Sequence, residues 1–227
     1  MTRILSLLAL APALACATPL LNGGFEDPVV PPGTFGPIVP TGWLEGGVPG
    51  AGLFLESYSA FSLPTLGGEG VQAAGFGASG NSGQWLAQTF DTIAGHMYQV
   101  SFQYLVQQGP LGGGFNEEWT FDALNGATVL FDQSQVFSNT AWVTSTFVFA
   151  AVGSASTIRF TDNSGLLGTD HLSVNWALDA VNVTDLSTPA GVPEPAAVAL
   201  TGAGLAALGL IRRRAHGRRK TPGRHDH

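Results

Sequence analysis

Five tryptophans, at positions 43, 85, 119, 142 and 176, are the residues of this 227-residue chain whose faces could do recognition chemistry. An indole ring covers the apolar face of a sugar as readily as it fills a core. Most are expected inside, because Trp119 and Trp142 lie in or at the start of runs whose alternate residues are apolar. Phe76 and Phe115, each beside a glycine in a loop-like stretch, could reach a ligand, although scattered exposed apolar side chains are ordinary. Acid–base chemistry has less to work with. Glu117 and Glu118 are adjacent on an expected strand and so point to opposite faces, which does not make the carboxyl pair of a glycosidase. His96 and His171 are far apart, and Asp170-His171 reads as a solvated turn. There is no Gly-x-Ser-x-Gly elbow, no His-Glu-x-x-His pair and no phosphate-cradling loop. A non-catalytic body is expected.

The elements that must position these side chains are strands. Tyr98, Val100, Phe102, Tyr104 and Val106 alternate with Gln99, Ser101 and Gln103, and Trp119 and Phe121 alternate with Glu118, Thr120 and Asp122. That period of two is the pattern of half-buried antiparallel strands. Further strands are expected over residues 53–58, 70–74, 85–90, 127–131, 142–150, 156–161 and 174–184, about nine in all. Stretches rich in Gly, Pro, Asn and Ser at 28–40, 46–52, 75–83, 109–114 and 163–168 read as loops, and no helical period or internal repeat is present in the body. The expectation is one all-β domain, an antiparallel sandwich, over residues 18–188.

Charge is sorted by position. Residues 19–190 hold fourteen Asp or Glu against the single base Arg159, a net of −13, whereas residues 191–227 carry a net of +5. A body with one cation cannot neutralise a run of phosphates, so nucleic acid is not an expected partner. Both chain ends look like targeting segments. Arg3, the apolar run 4–14 and the small residues Ala15 and Ala17 make a secretory signal peptide over residues 1–17. Cleavage there removes Cys16, the only cysteine, and leaves an exported protein with no disulfide. The rival reading is a degenerate lipobox with Cys16 lipidated.

At the other end Val192-Pro193-Glu194-Pro195 precedes an uncharged run over residues 196–211 and then Arg212, Arg213 and Arg214. As a single helix the run spans roughly 24 Å at about 1.5 Å per residue, short of the roughly 30 Å hydrocarbon core. Arginines directly after it are held on the cytoplasmic side, which places the body outside and the end inside. In this order the parts resemble a PEP-CTERM sorting signal, covering residues 189–220. The resemblance implies recognition by an exosortase-type sorting enzyme at the inner membrane and delivery to the cell surface or to an exopolysaccharide-rich extracellular matrix. A permanent C-terminal membrane anchor has the same topology. Residues 221–227 extend past the usual end of that signal and read as a disordered tail, with Arg224-His225-Asp226-His227 a loose metal motif at most.

The opening Leu21-Asn22-Gly23-Gly24-Phe25-Glu26, followed by Gly42-Trp43, and the late Leu178-Asp179-Ala180-Val181-Asn182-Val183 are similar to the terminal strands of galactose-binding-like jelly rolls, several of which are carbohydrate-binding modules. The resemblance implies a jelly-roll sandwich with a structural Ca²⁺ at Glu26 and Asp179, Asn22 and Asp27 being lesser candidates. Otherwise Glu26 and Asp179 cap turns. Two functions are therefore expected to compete: a surface or matrix protein without a discrete site, associated with exopolysaccharide, and a carbohydrate-binding module.

Overall fold

A computed structural model describes residues 20–47, 52–65, 70–77, 83–107, 116–164 and 175–187. Its strands are β1 (Phe35–Gly36), β2 (Leu44–Gly46), β3 (Phe54–Ser57), β4 (Gln72–Phe76), β5 (Trp85–Asp91), β6 (Met97–Val106), β7 (Glu117–Asn125), β8 (Thr128–Phe137), β9 (Val143–Ala150), β10 (Ala155–Asp162) and β11 (Trp176–Asp185). They form a six-stranded sheet, β1-β3-β4-β11-β6-β9, and a five-stranded sheet, β2-β5-β10-β7-β8. Every pairing is antiparallel. Among the described residues, chain neighbours pair only at β3–β4 and β7–β8. Every other connection crosses between the sheets, the winding of a jelly roll.

The alternation read from the sequence sets which face is buried. Val100, Phe102 and Tyr104 of β6 meet Trp119 and Phe121 of β7 and Phe160 of β10 between the sheets. Phe102 is the hub, with its ring centroid 5.3 Å from Trp119, 5.7 Å from Phe121 and 4.8 Å from Phe160. Arg159, the one base of the body, sits opposite Asp122 on the outer face of the five-stranded sheet and pairs with it at 2.7 Å.

Several expectations need correction. The two additional strands, β1 and β2, are two and three residues long, too short to show a period, and β1 falls inside the expected loop 28–40. β8 continues to Phe137 rather than ending at 131, because it is an edge strand whose exposed polar residues hide the alternation. β4 includes Phe76, which is buried and stacks on Trp176 at 4.2 Å, so it is a core residue and not a loop aromatic. Trp43, Trp119 and Trp176 are core as expected, but Trp85 and Trp142 are only half-buried. The residues expected to be signal, sorting tail and polar end, including Ala15, Ala17, 192–195 and 212–214, lie outside the described residues, as do Phe115, Asp170 and His171. Among the described residues no helix is long and apolar enough to cross a membrane.

The opening motif is explained by its packing. Asn22 takes a left-handed conformation, φ 50°, and its side chain closes the turn by donating to the Asp27 carbonyl at 2.6 Å and accepting from the Asp27 amide at 3.1 Å. Gly23 runs so close to β11 that a Cβ there would stand 1.9 Å from the Val181 carbonyl oxygen, and its own carbonyl accepts the Val181 amide at 2.9 Å. Phe25 then enters the core against Trp43, 5.2 Å between rings. The first and last segments of the body are thus tied together.

Candidate functional site

On the outer face of the six-stranded sheet, polar chemistry and apolar shelter meet. Segment 58–65 begins with a short 3₁₀ turn, Tyr58–Ala60, and lies against this face. Beneath it Tyr58 and Leu63 pack on Ala73, Leu105 and Ala177, with Phe61 and Trp142 completing the cluster. Trp142 holds the segment by donating its indole N–H to the Pro64 carbonyl at 2.6 Å, and its ring lies 5.9 Å from Tyr58. Cavities of about 380 and 390 Å³ open on either side of Ser62 and Leu63.

A polar row crosses the sheet below. Glu56 stands opposite Ala73, Asp179 opposite Gln103, and Gln103 opposite Thr144. Glu56 and Asp179 are both fully buried. Tyr58 donates its hydroxyl to Asp179 Oδ2, and the Ala180 amide donates to Oδ1 at 2.6 Å. Gln107 donates its amide to Glu56 Oε1, while Glu56 Oε2 and Gln107 Oε1 have no hydrogen-bond partner. Burial, and then the charge of Asp179, pushes the Glu56 carboxyl well above its ordinary range. Protonated, Oε2 becomes a donor, which is the only form in which that buried oxygen could serve an acceptor.

Away from the covering segment the row emerges into a groove of about 370 Å³, lined by Gly23, Ser101, Gln103, Thr144, Ala180 and Asn182. The groove exists because β11 is irregular between Asp179 and Asn182, where Ala180 adopts φ 51° and the register with β6 shifts. Its floor carries amides and hydroxyls and no charge.

Of the residues singled out from the sequence, Asp179 belongs to this site, and Glu26 lies at the start of β4. Glu26 Oε1 accepts the amides of Val71 and Gln72 at 2.7 and 2.8 Å and so caps the start of β4. No group of three or more His, Cys, Asp or Glu able to hold a metal occurs among the described residues. A carboxylate oxygen can accept an amide and touch Ca²⁺ at once, so the donors at Glu26 and Asp179 do not conflict with that ion. His96 is remote from chemistry, its Nδ1 2.7 Å from Asp185 Oδ2 at the far end of β11. Glu56, Tyr58, Gln103 and Gln107 were not singled out. The available signal was a lone acid inside the apolar stretch 53–58.

A second buried acid cluster lies between the sheets at one end. Asp162 Oδ2 accepts Gln84 Nε2 at 2.7 Å, and Oδ1 accepts the Ser164 amide, the Ser164 hydroxyl and Trp176 Nε1 at 3.0, 2.6 and 3.2 Å. Glu117 is beside it, its carboxyl pushed up to about 7, first by burial and then by Asp162, against a hydrogen bond from Ser164. Glu117 and Glu118 point to opposite faces, as their adjacency on a strand requires, Glu117 buried and Glu118 half-buried.

No family model and no curated protein matches the sequence. Among solved structures, a Stig cyclase, Fisc, from Fischerella sp. TAU in complex with a pyrrolidinylidene-indole is 20% identical, with a TM-score of 0.58 over 75% of this chain and 98% of that one. TmCBM61 in complex with beta-1,4-galactotriose is 16% identical, TM-score 0.49, over 73% and 97% of the two chains. A CBM4 structure is 16% identical, TM-score 0.46, over 73% and 99%. At such identities the cyclase match shows the fold of the body, an all-β antiparallel sandwich, and nothing of its ligand.

Proposed function

We propose that this protein is an exported, PEP-CTERM-sorted surface or matrix protein whose sandwich binds a neutral glycan on the outer face of the six-stranded sheet. The observation that carries the reading is the face itself: an uncharged floor of Ser101, Gln103, Thr144 and Asn182, with half-buried Trp142 two residues before Thr144 in the chain. Amide and hydroxyl groups match sugar hydroxyls, and an indole matches a sugar's apolar face. With a net of −13 on residues 19–190, the body repels anionic polymers, so a neutral chain is the better partner. A panel of neutral and anionic polysaccharides, with and without Ca²⁺, tests this. Retardation by neutral chains supports it, and retention only by anionic chains in Ca²⁺ counts against it.

A second reading, acid chemistry on the bound ligand, is favoured by one observation, the fully buried Glu56 carboxyl with its Oε2 unpartnered, which burial and then Asp179 push well above the ordinary range. Mass spectrometry of the recovered ligand separates the two: intact ligand means binding, and altered ligand that persists only while Glu56 is present means catalysis.

A structural Ca²⁺ at Glu26 and Asp179 belongs to the same proposal. An ion that binds only the folded chain stabilises it by about 2.7 kcal/mol at a hundredfold excess over Kd. The melting temperature is therefore expected to be higher in millimolar Ca²⁺ than in chelator, and this difference should shrink in Glu26→Gln. An equal response of both proteins to Ca²⁺ would reduce the effect to general screening.

A further inference from the structure

The free edge of the six-stranded sheet lacks the features that usually keep edge strands apart. β9 is its last strand, and it pairs with β6 from Met97↔Ala150 to Tyr104↔Val143 without a bulge. Among the described residues no strand pairs with its other side. Exposed edges are normally blunted by lysine, proline, a bulge or a covering segment. β9 has no charged residue and no proline. The neutrality extends further, for no residue between Asp132 and Arg159 is charged or is histidine. This stretch takes in part of β8, all of β9 and the first half of β10. β8, the last strand of the other sheet, adjoins β9, and Val136, Val143 and Val148 are 48, 39 and 39% exposed along these edges.

A body with fourteen acids and one base repels its own copies over most of its surface. The neutral edge is where that repulsion is least, and a second copy brings the same unpaired backbone edge with the same absence of charge. We infer that β9 pairs antiparallel with β9 of a second copy about a two-fold axis at Thr146. An axis through one residue keeps each face with its like, so Thr146 meets Thr146, and Thr144 of either copy meets Val148 of the other. Threonine pairs directly opposite each other favour such a ladder, and the interface is isologous, so it closes at two copies. The pairing also joins the two outer faces into one, with the Thr144 of each groove four residues along the ladder from its counterpart. A polymer long enough to lie across both grooves is then held at two points. The dimer itself does not depend on what the grooves bind.

The test is the mass of the full-length chain in a mild detergent, by light scattering and sedimentation, with Thr146→Lys as the variant that sets like charges face to face. Wild type is expected as a dimer and Thr146→Lys as a monomer with an unchanged near-ultraviolet circular dichroism spectrum. In a Cys16→Ser background, Thr146→Cys is expected to cross-link to itself under oxidation or a short bismaleimide, and Thr89→Cys, exposed on the other sheet, is not. A monomeric wild type, a dimer that survives Thr146→Lys, or equal cross-linking at the two cysteines overturns the inference. If Thr146→Lys fails to fold, the cysteine pair decides alone.

Discussion

Glu117→Gln is expected to raise the unfolding free energy by about 2–3 kcal/mol at pH 8 and to leave it almost unchanged at pH 4. Glu117 faces the interior at the end of the sandwich, where burial and then the neighbouring Asp162 push its carboxyl up to about 7 from the ordinary 4.5. Between those values the folded chain holds a proton that the unfolded chain has released. Stability from this group is therefore fully present below about 4.5, falls as pH rises, and is lost above about 7. Asp162, raised chiefly by burial, and Glu56, raised by burial and then by Asp179, act in the same direction. Glutamine keeps the shape and removes the charge, so it should abolish the part of the slope that belongs to Glu117. Urea titrations of the two proteins at pH 4, 6 and 8 measure this. Parallel curves with no pH-dependent gap would mean that Glu117 is ionised in the folded protein without cost.

Trp119→Ala is expected to cost about 3–5 kcal/mol, whereas Trp119→Phe should cost much less. The ring is fully buried and makes edge contacts with Phe102, Tyr104 and Phe147 at 5.3, 5.4 and 5.9 Å. Alanine opens a cavity at the centre of the core, which the surrounding rings cannot fill without leaving their positions. Phenylalanine keeps most of the contact area and also removes the indole N–H, a buried donor without a partner. Denaturant midpoints for the three proteins check the order. If Phe costs as much as Ala, the indole N–H is satisfied by a bound water and its loss is part of the penalty.

The contrast between these two residues shows what the sequence could and could not reveal. Trp119 and Phe121 alternate with polar neighbours, and a period of two is a local property, so their faces and the interior of β7 were legible. So were β6, β9 and β10, whose expected bounds are close to those observed. β3 did not alternate, because both of its faces are covered, one by the core and one by segment 58–65. Glu56 is hidden for the same reason: its burial depends on a cover supplied by residues that follow it, and the charge that acts on its carboxyl is Asp179, far along the chain. Trp142 looked like core and instead sits outside the sandwich, since the face of a strand that turns outward is decided by what packs there and not by its own pattern. The link between Asn22-Gly23 and Val181 was legible only through a family likeness. Its cause, the space a Cβ would need at Gly23, is visible only in three dimensions.

In the proposed function the outer face of the six-stranded sheet is the binding surface. Its most direct test is a calorimetric titration of the protein with the neutral polysaccharide that retards it most. Wild type is compared with Gln103→Ala, Trp142→Ala and, on the opposite sheet, Thr89→Ala. The predicted result is an affinity lower by about tenfold or more, roughly 1.4 kcal/mol, in the first two and unchanged in the third. Wild-type affinity in both Gln103→Ala and Trp142→Ala would contradict the account and place the site elsewhere.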